Sequence, residues 1–179
     1  MKSVLISIQP KWCELIASGK KTVEVRKTRP KIDTPFKCYI YCTKAKEHFS
    51  LGGGVYATSD TLYRLPTGEI KFGDGFELMG DWSGQYDENN FLNGKVIGEF
   101  VCRNIYDIEC CYEDHNYFSQ NGTCLTVDDI IGYCNGQDLY GWGISDLVIY
   151  DTPKDLSEYG LSRPPQSWCY VEKGGEADA

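Results

Sequence analysis

The spacing of apolar residues changes period twice near the start of the chain. Val4–Ile8 is a short apolar run that ends before Pro10 and reads as a strand. Pro10 suits a first helical position and Gly19 a helix stop, so Pro10–Ser18 reads as a short helix. From Thr22 to Lys27 the period falls to two, which puts Val23 and Val25 on one strand face and Thr22, Glu24 and Arg26 on the other. The valines are expected to enter the core, with the polar set facing outward and Lys21 at the mouth of the preceding turn. Lys37–Cys42 reads as a third strand with Cys38, Ile40 and Cys42 on a common face.

Between about Glu47 and Asn93 the chain is rich in Gly, Asp and aromatics and reads as an insertion. Thr61–Pro66 and Glu69–Phe72 flank Thr67-Gly68 as a hairpin, and Gly52-Gly53-Gly54 lacks the Lys-Ser/Thr of a phosphate loop and reads as a turn. Lys95–Cys102 is a further strand, with Asn104–Cys110 prolonging it after a bend. Thr126 is placed to cap a helix reaching Tyr133: Asp128 and Asp129 occupy its first turn, and Val127, Ile130 and Ile131 share one face. Asp146–Tyr150 returns to strand, Pro153–Tyr159 suits one helical turn, and Ser167–Glu172 closes the fold. These elements predict one domain over residues 1–173, with an insertion at about 47–93 and a frayed, disordered tail at 174–179.

Charge changes this picture more than composition does. The 179 residues carry a net charge of -8, which argues superficially against a nucleic-acid partner. Residues 1–46, however, hold 11 Lys and Arg against 3 acidic residues, a balance of +8, while residues 47–179 hold 7 against 23, a balance of -16. A basic segment of this kind attracts phosphates while the rest of the surface repels nonspecific polyanions. Lys27, Arg29, Lys31 and Lys37 equally suit a solvated loop face.

No apolar run approaches the ~20 residues of a membrane span, and no basic stretch leads into a hydrophobic segment, so the expected location is cytoplasmic, with no membrane partner. Nine cysteines at irregular spacing suit reduced, buried thiols of a reducing compartment, and the lack of any Cys-x-x-Cys predicts no metal. His48 and His115 leave a Cys–His nucleophile open.

The richest chemistry lies at Gly19-Lys20-Lys21-Thr22-Val23-Glu24-Val25-Arg26. Glu24 and Arg26, two apart on a strand and about 7 Å along it, can meet as an ion pair. A surface pair stabilises by only ~0–1 kcal/mol, a weak reason to group them beside Lys21. A ligand site gives the grouping a purpose. The Arg26 fork suits a phosphate or base edge, Glu24 an exocyclic amine, Lys21 an anion or carbonyl, and Lys20 stands beside them.

Gly19, Lys21, Glu24 and Arg26 match the Gly-x-Lys-x-x-Glu-x-Arg signature of the ASCH family, which this chain resembles. The resemblance continues in Lys95–Phe100, Tyr140–Ser145 and Arg163–Val171. It implies an α+β protein, a PUA-like β-barrel of mixed and antiparallel strands with two or more short peripheral helices. It also implies binding of RNA or of modified nucleosides and nucleotides, without a cofactor, at Lys20, Lys21, Glu24 and Arg26. Trp142 and Ser145 match a family segment. Trp142 suits either stacking on a base or closing the barrel, whereas Trp12 and Trp168 suit core or wedge positions.

Three functions follow. The first is RNA or nucleotide binding in a basic cleft. The second is a metal-independent hydrolase on the same cleft, cleaving RNA or an acylated nucleoside such as N4-acetylcytidine, with Lys21 and Glu24 catalytic. In the family's amidohydrolase members the signature Lys is catalytic and a Thr stands where Glu24 stands here. A carboxylate cannot repeat an alcohol's acyl transfer, although it can act as a general base. The third is a protein-interaction adaptor using the acidic 47–93 segment.

Overall fold

The structure, a computed structural model, describes residues 2–44, 49–52, 55–57, 60–73, 90–108 and 122–172. Strand β1 (Lys2–Ile8) leads into helix α1 (Pro10–Ala17), β2 (Val23–Arg26) and β3 (Phe36–Cys42). Four short strands follow: β4 (Phe49–Gly52), β5 (Val55–Ala57), β6 (Thr61–Arg64) and β7 (Ile70–Gly73). The chain then forms the long β8 (Val96–Ile108), helix α2 (Val127–Cys134), the longer β9 (Leu139–Lys154), a 3-10 turn at Leu156–Tyr159, and β10 (Trp168–Glu172).

Six strands form one mixed sheet in the order β10-β1-β3-β8-β9-β2. Only β1 and β3 run parallel, joined through α1 and β2. Both faces of these two central strands are covered, which explains why Val4–Ile8 is a continuous apolar run. On one face Val4, Ile6 and Ile8 pack with Cys38, Ile40 and Cys42, as the period-two pattern predicts, and with Phe100 and Trp142. On the other, Leu5, Tyr39, Tyr41, Val96 and Val171 are roofed by Tyr150 and by Leu156 and Tyr159 of the 3-10 turn. Each fully buried Leu or Ile stabilises the fold by about 1.5–3 kcal/mol.

The sheet curves but does not close, which corrects the expected barrel. Strands β2 and β10 are its two edges, and no ladder joins them. Side chains cross the gap instead. Trp168 Nε1 donates to Thr28 Oγ1 at 3.0 Å, the Lys31 amide donates to Tyr170 Oη at 2.7 Å, and Arg26 reaches the Ser7 carbonyl. The curvature comes from β8 and β9, whose pairing shifts register between Val96 and Gly98, Glu99 and Val101, and Cys102 and Ile105. The bend expected near Asn104 is one of these irregularities within a single strand. Strand β9 begins at Leu139, well before the expected Asp146, because its glycines and aromatics hide the alternation.

The β6–β7 hairpin forms around Gly68 at positive φ, as its turn sequence predicts. It forms its own two-stranded sheet, bridged by Tyr63 to Phe91, and Leu62 and Ile70 enter the main core beside Cys13 and Ile16 of α1. Asn93 fastens it. Its side-chain amide donates to the carbonyls of Thr43 and Asp60, and its oxygen accepts from the Leu62 amide at 2.8 Å.

Cys13, Cys38, Cys42, Cys102, Cys124 and Cys169 are free thiols, but Cys134 at the end of α2 is disulfide-bonded. This corrects the expectation of reduced thiols throughout, since spacing along the chain does not say which sulfurs the fold brings together. Cys110, Cys111, His48, His115, Gly53, Gly54 and the 174–179 tail lie outside the described residues. Among the described residues no helix is long and apolar enough to cross a membrane.

Two glycines give opposite expectations. A Cβ at Gly98 would stand 2.4 Å from the Val148 carbonyl oxygen on the paired strand, so Gly98→Ala should cost about 1–3 kcal/mol. At Gly132, within α2, a Cβ meets nothing within 4 Å, so Gly132→Ala should stabilise by about 0.5–1 kcal/mol. Urea unfolding should show the two midpoints moving in opposite directions at unchanged slope.

Candidate functional site

Lys21, Glu24 and Arg26 come together, but facing inward. Their exposures are 2%, 5% and 9%, which corrects the expectation that the polar face of β2 points to solvent. Alternation along β2 holds, but its faces are differently used. Val25 packs with Ile108, Ile130, Cys134 and Leu139 beneath α2, while Glu24 and Arg26 lie opposite Trp142 and Tyr140 of β9. Because β2 is an edge strand at the unclosed seam, the inner face of its polar residues meets a cavity instead of packed side chains.

The turn after α1 delivers Lys21 to this place. The Gly19 amide bonds the Ile16 carbonyl and the Lys21 amide bonds that of Leu15, both at 2.9 Å, with Gly19 at φ +73. Lys21 Nζ then lies 5.2 Å from the centre of the Trp12 ring and donates to the Thr123 carbonyl at 2.5 Å. It stands 3.5 Å from Glu24 Oε2. Glu24 Oε1 accepts from Arg26 Nη2 at 2.9 Å, and the same Nη2 donates to the Ser7 carbonyl at 2.6 Å. One carboxylate thus lies between two buried cations. Burial lowers the pKa of Lys21 below its ordinary value, an effect that the Glu24 charge opposes.

Two polar atoms of this group are buried without a hydrogen-bond partner: Glu24 Oε2, an acceptor, and Arg26 Nε, a donor. Both residues line a cavity of about 250 Å³, walled by Trp12 on one side and by Asp129 and Tyr133 of α2 on the other. That is just below the ~300–1,000 Å³ usual for small-molecule sites, so it suits one small ring system. Asp129 is already committed to holding α2 in place. Its carboxylate accepts from the Thr126 amide at 2.9 Å and from the Thr126 hydroxyl at 2.8 Å, which lowers its pKa, while its own amide bonds Thr126 Oγ1.

The remaining expected residues lie elsewhere. Lys20 is exposed beside the turn, and its carbonyl accepts from Cys124 Sγ at 3.3 Å. Trp142 is fully buried, with its ring edge-on to Phe36 at 5.8 Å and tilted against Trp168 at 5.9 Å, so it offers no face to a ligand. Ser145 lines a separate surface groove with Thr22, Asn104 and Tyr106. Burial also pushes the thiols of Cys13 and Cys38 well up, and that of Cys102 to about 11, which leaves them unreactive. Tyr133 and Asp129 were missed as lining residues because the helical pattern of Thr126–Tyr133 marks only an apolar face, of which Ile130 is buried while Ile131 is 50% exposed. A signal for Tyr133 was its placement off the Val127, Ile130 and Ile131 face.

The ASCH domain family model matches residues 6–130. Among solved structures, the chain is similar to ASCH from Zymomonas mobilis, with a TM-score of 0.58 and 18% identity over 96% of this chain and 88% of that one. A tyrosine-to-phenylalanine mutant of that protein gives a TM-score of 0.59 and 18% identity over 97% of this chain and 93% of that one. No curated protein matches the chain by sequence.

The lowered pKa of Lys21 has a stability consequence. Between its folded value and the ordinary 10.5, the unfolded chain binds the proton more tightly, so stability gained from this group appears as pH rises through that window and is lost as pH falls through the folded value. The stability of the parent relative to Lys21→Met should therefore increase from neutral to alkaline pH. Denaturant titrations at several pH values check this, and a flat difference would show that Lys21 titrates alike in both states.

Proposed function

Because the chain belongs to the ASCH domain family, which is generally RNA-binding, we propose that it binds single-stranded RNA or a nucleotide by taking a base into the cavity beside Lys21, Glu24 and Arg26. The observation that carries this reading is that Glu24 Oε2, 3.5 Å from Lys21 Nζ, and Arg26 Nε are both buried without a hydrogen-bond partner, on residues that line this cavity. Each such buried atom costs about 1–3 kcal/mol, and a ligand that carries both a donor and an acceptor can satisfy them. The edge of a nucleobase has that pattern. Trp12 and Tyr133 supply aromatic walls, and stacking adds roughly 1–3 kcal/mol per base.

Surface charge supports a polyanionic ligand. The loop between β2 and β3 carries Lys27, Arg29 and Lys31 around a groove that also includes Tyr140 and Asp33. Arg29 lies over the Tyr140 ring at 5.5 Å and Lys27 over the Tyr133 ring at 5.1 Å, which links this groove to the base cavity. Cations and rings interleaved along a surface are the means by which proteins follow a single strand.

A second reading, hydrolysis at the same site, is favoured by one observation: burial lowers the pKa of Lys21 and sets its amine 3.5 Å from the Glu24 carboxylate. Against it, Lys21 Nζ is already held by the Thr123 carbonyl.

Binding and turnover should be measured with single-stranded RNA and a panel of modified and unmodified nucleosides. The buried positions call for conservative changes, so Lys21→Met and Arg26→Lys replace alanine variants, with melting followed alongside. Each should weaken binding by about 1.5–3 kcal/mol. Loss of one phosphate contact in the Lys27–Lys31 loop should lower the log-log salt slope by roughly 0.7. Glu24→Gln distinguishes the readings: a binding site shifts its base preference, whereas a hydrolase loses most turnover and keeps affinity. Variants that bind every probe as the parent does, and differ only in melting, would reduce the group to a structural ion cluster.

A further inference from the structure

Arg26 lines two cavities. Beyond the base cavity lies a second, of about 430 Å³, that shares Ser7, Gln9 and Arg26 with the first. We propose that this second cavity is a phosphate subsite, holding the phosphate joined to the nucleoside whose base fills the first; the inference rests on the base-binding reading above.

Charge, helix direction and shape support it together. Besides Arg26, the cavity is lined by Lys11 and Lys44, against a single carboxylic residue, Asp60. Neither lysine forms an ion pair among the described residues. Lys11 Nζ lies 4.8 Å from the Trp12 ring centre and Lys21 Nζ 5.2 Å from it; Lys11 lines the second cavity and Lys21 the first. Gln9 is the N-cap of α1 and Pro10 and Lys11 are its first residues, so its N-terminus opens here. That terminus has no side-chain cap and no acidic residue in its first turn. Pro10 brings no N–H and the Trp12 and Cys13 amides bond the Gln9 carbonyl, so the Lys11 amide and the positive end of the helix dipole are what favour an anion here. Arg26, 9% exposed with Nε unpartnered, is the buried cation at the partition between the cavities. Phe72 gives an apolar wall suited to a sugar ring, and the amides of Gln9 and Gln166 can donate to phosphate oxygens.

The geometry also explains why the base cavity alone is small. A nucleoside needs room for its base there and an exit for its sugar, and the shared residues Ser7 and Gln9 mark that exit.

The test compares binding of the four ribonucleosides, their 5′- and 3′-monophosphates, and single-stranded homopolymers to the full chain and to the double variant Lys11→Ala/Lys44→Ala. Both lysines are exposed, and melting verifies the fold. A phosphate-bearing probe should bind the parent about tenfold more tightly than its nucleoside, and the double variant should erase that gain while leaving nucleoside affinity unchanged. A gain with a monophosphate identifies a free nucleotide, and a gain only with the homopolymer identifies a phosphodiester within a strand; either supports the subsite. Nucleosides that bind with no gain from phosphate, or a double variant that keeps the gain, would overturn the subsite and leave the base-binding reading intact. If no nucleoside or phosphate-bearing probe binds, the base-binding reading fails and the subsite with it.

Discussion

One guanidinium group ties edge strand β2 to the end of β1 across the open seam of the sheet. Arg26 projects from edge strand β2, bonds the Ser7 carbonyl at the end of β1, and is held in that pose by Glu24. A closed sheet would have satisfied this seam with backbone ladder bonds and filled it with apolar side chains. Here the ladder is missing, and the seam is spanned by side chains with a cavity on each side of Arg26. The position of Lys21, the partner of Glu24, follows from the same arrangement, as does the anchoring of the Thr123 segment that leads into α2.

Stability does not account for such a cluster. Buried ions give up their hydration, and well-packed apolar residues of similar volume commonly serve as well or better. The arrangement here also leaves Glu24 Oε2 and Arg26 Nε without hydrogen-bond partners, so it is not even a fully satisfied network. By contrast, the Glu99 carboxylate on the opposite face bonds both Lys37 and Tyr150 at 2.6 Å, and these bonds lower its pKa against the opposing effect of burial. The Glu99 group ties β8 to β3 and β9 on that face. The two carboxylates differ in how fully they are bonded: both Glu99 oxygens accept hydrogen bonds, whereas Glu24 accepts from Arg26 through Oε1 and meets Lys21 only at 3.5 Å through Oε2.

The supporting parts are rigid where the site needs them to be. Lys21 is fixed by the turn after α1, Glu24 and Arg26 by their pairing with β9, and the far wall by the capping box that seats α2. A binding group held by regular elements loses little freedom when a ligand arrives, so more of the contact energy appears as affinity.

Much of this was legible in the chain itself. Pro10, Gly19 and the change to period two located α1 and β2, because helix stops and strand alternation are local consequences of backbone sterics. Thr126 and Asp129 marked the start of α2, and Thr67-Gly68 marked the hairpin, for the same reason. The signature residues Gly19, Lys21, Glu24 and Arg26 could be picked out because no single strand needs that grouping for its own stability. What alternation cannot state is which of its two faces meets the core. The polar face of β2 turned inward because β2 lies at an edge where the sheet fails to close, and the burial of Trp142 followed from its place opposite Glu24. The cavities around Arg26 and the approach of Tyr133 likewise depend on segments far apart in sequence. Local sterics decided the elements; only the tertiary structure decided which side chains share a space, since that depends on long-range packing that no short window of sequence contains.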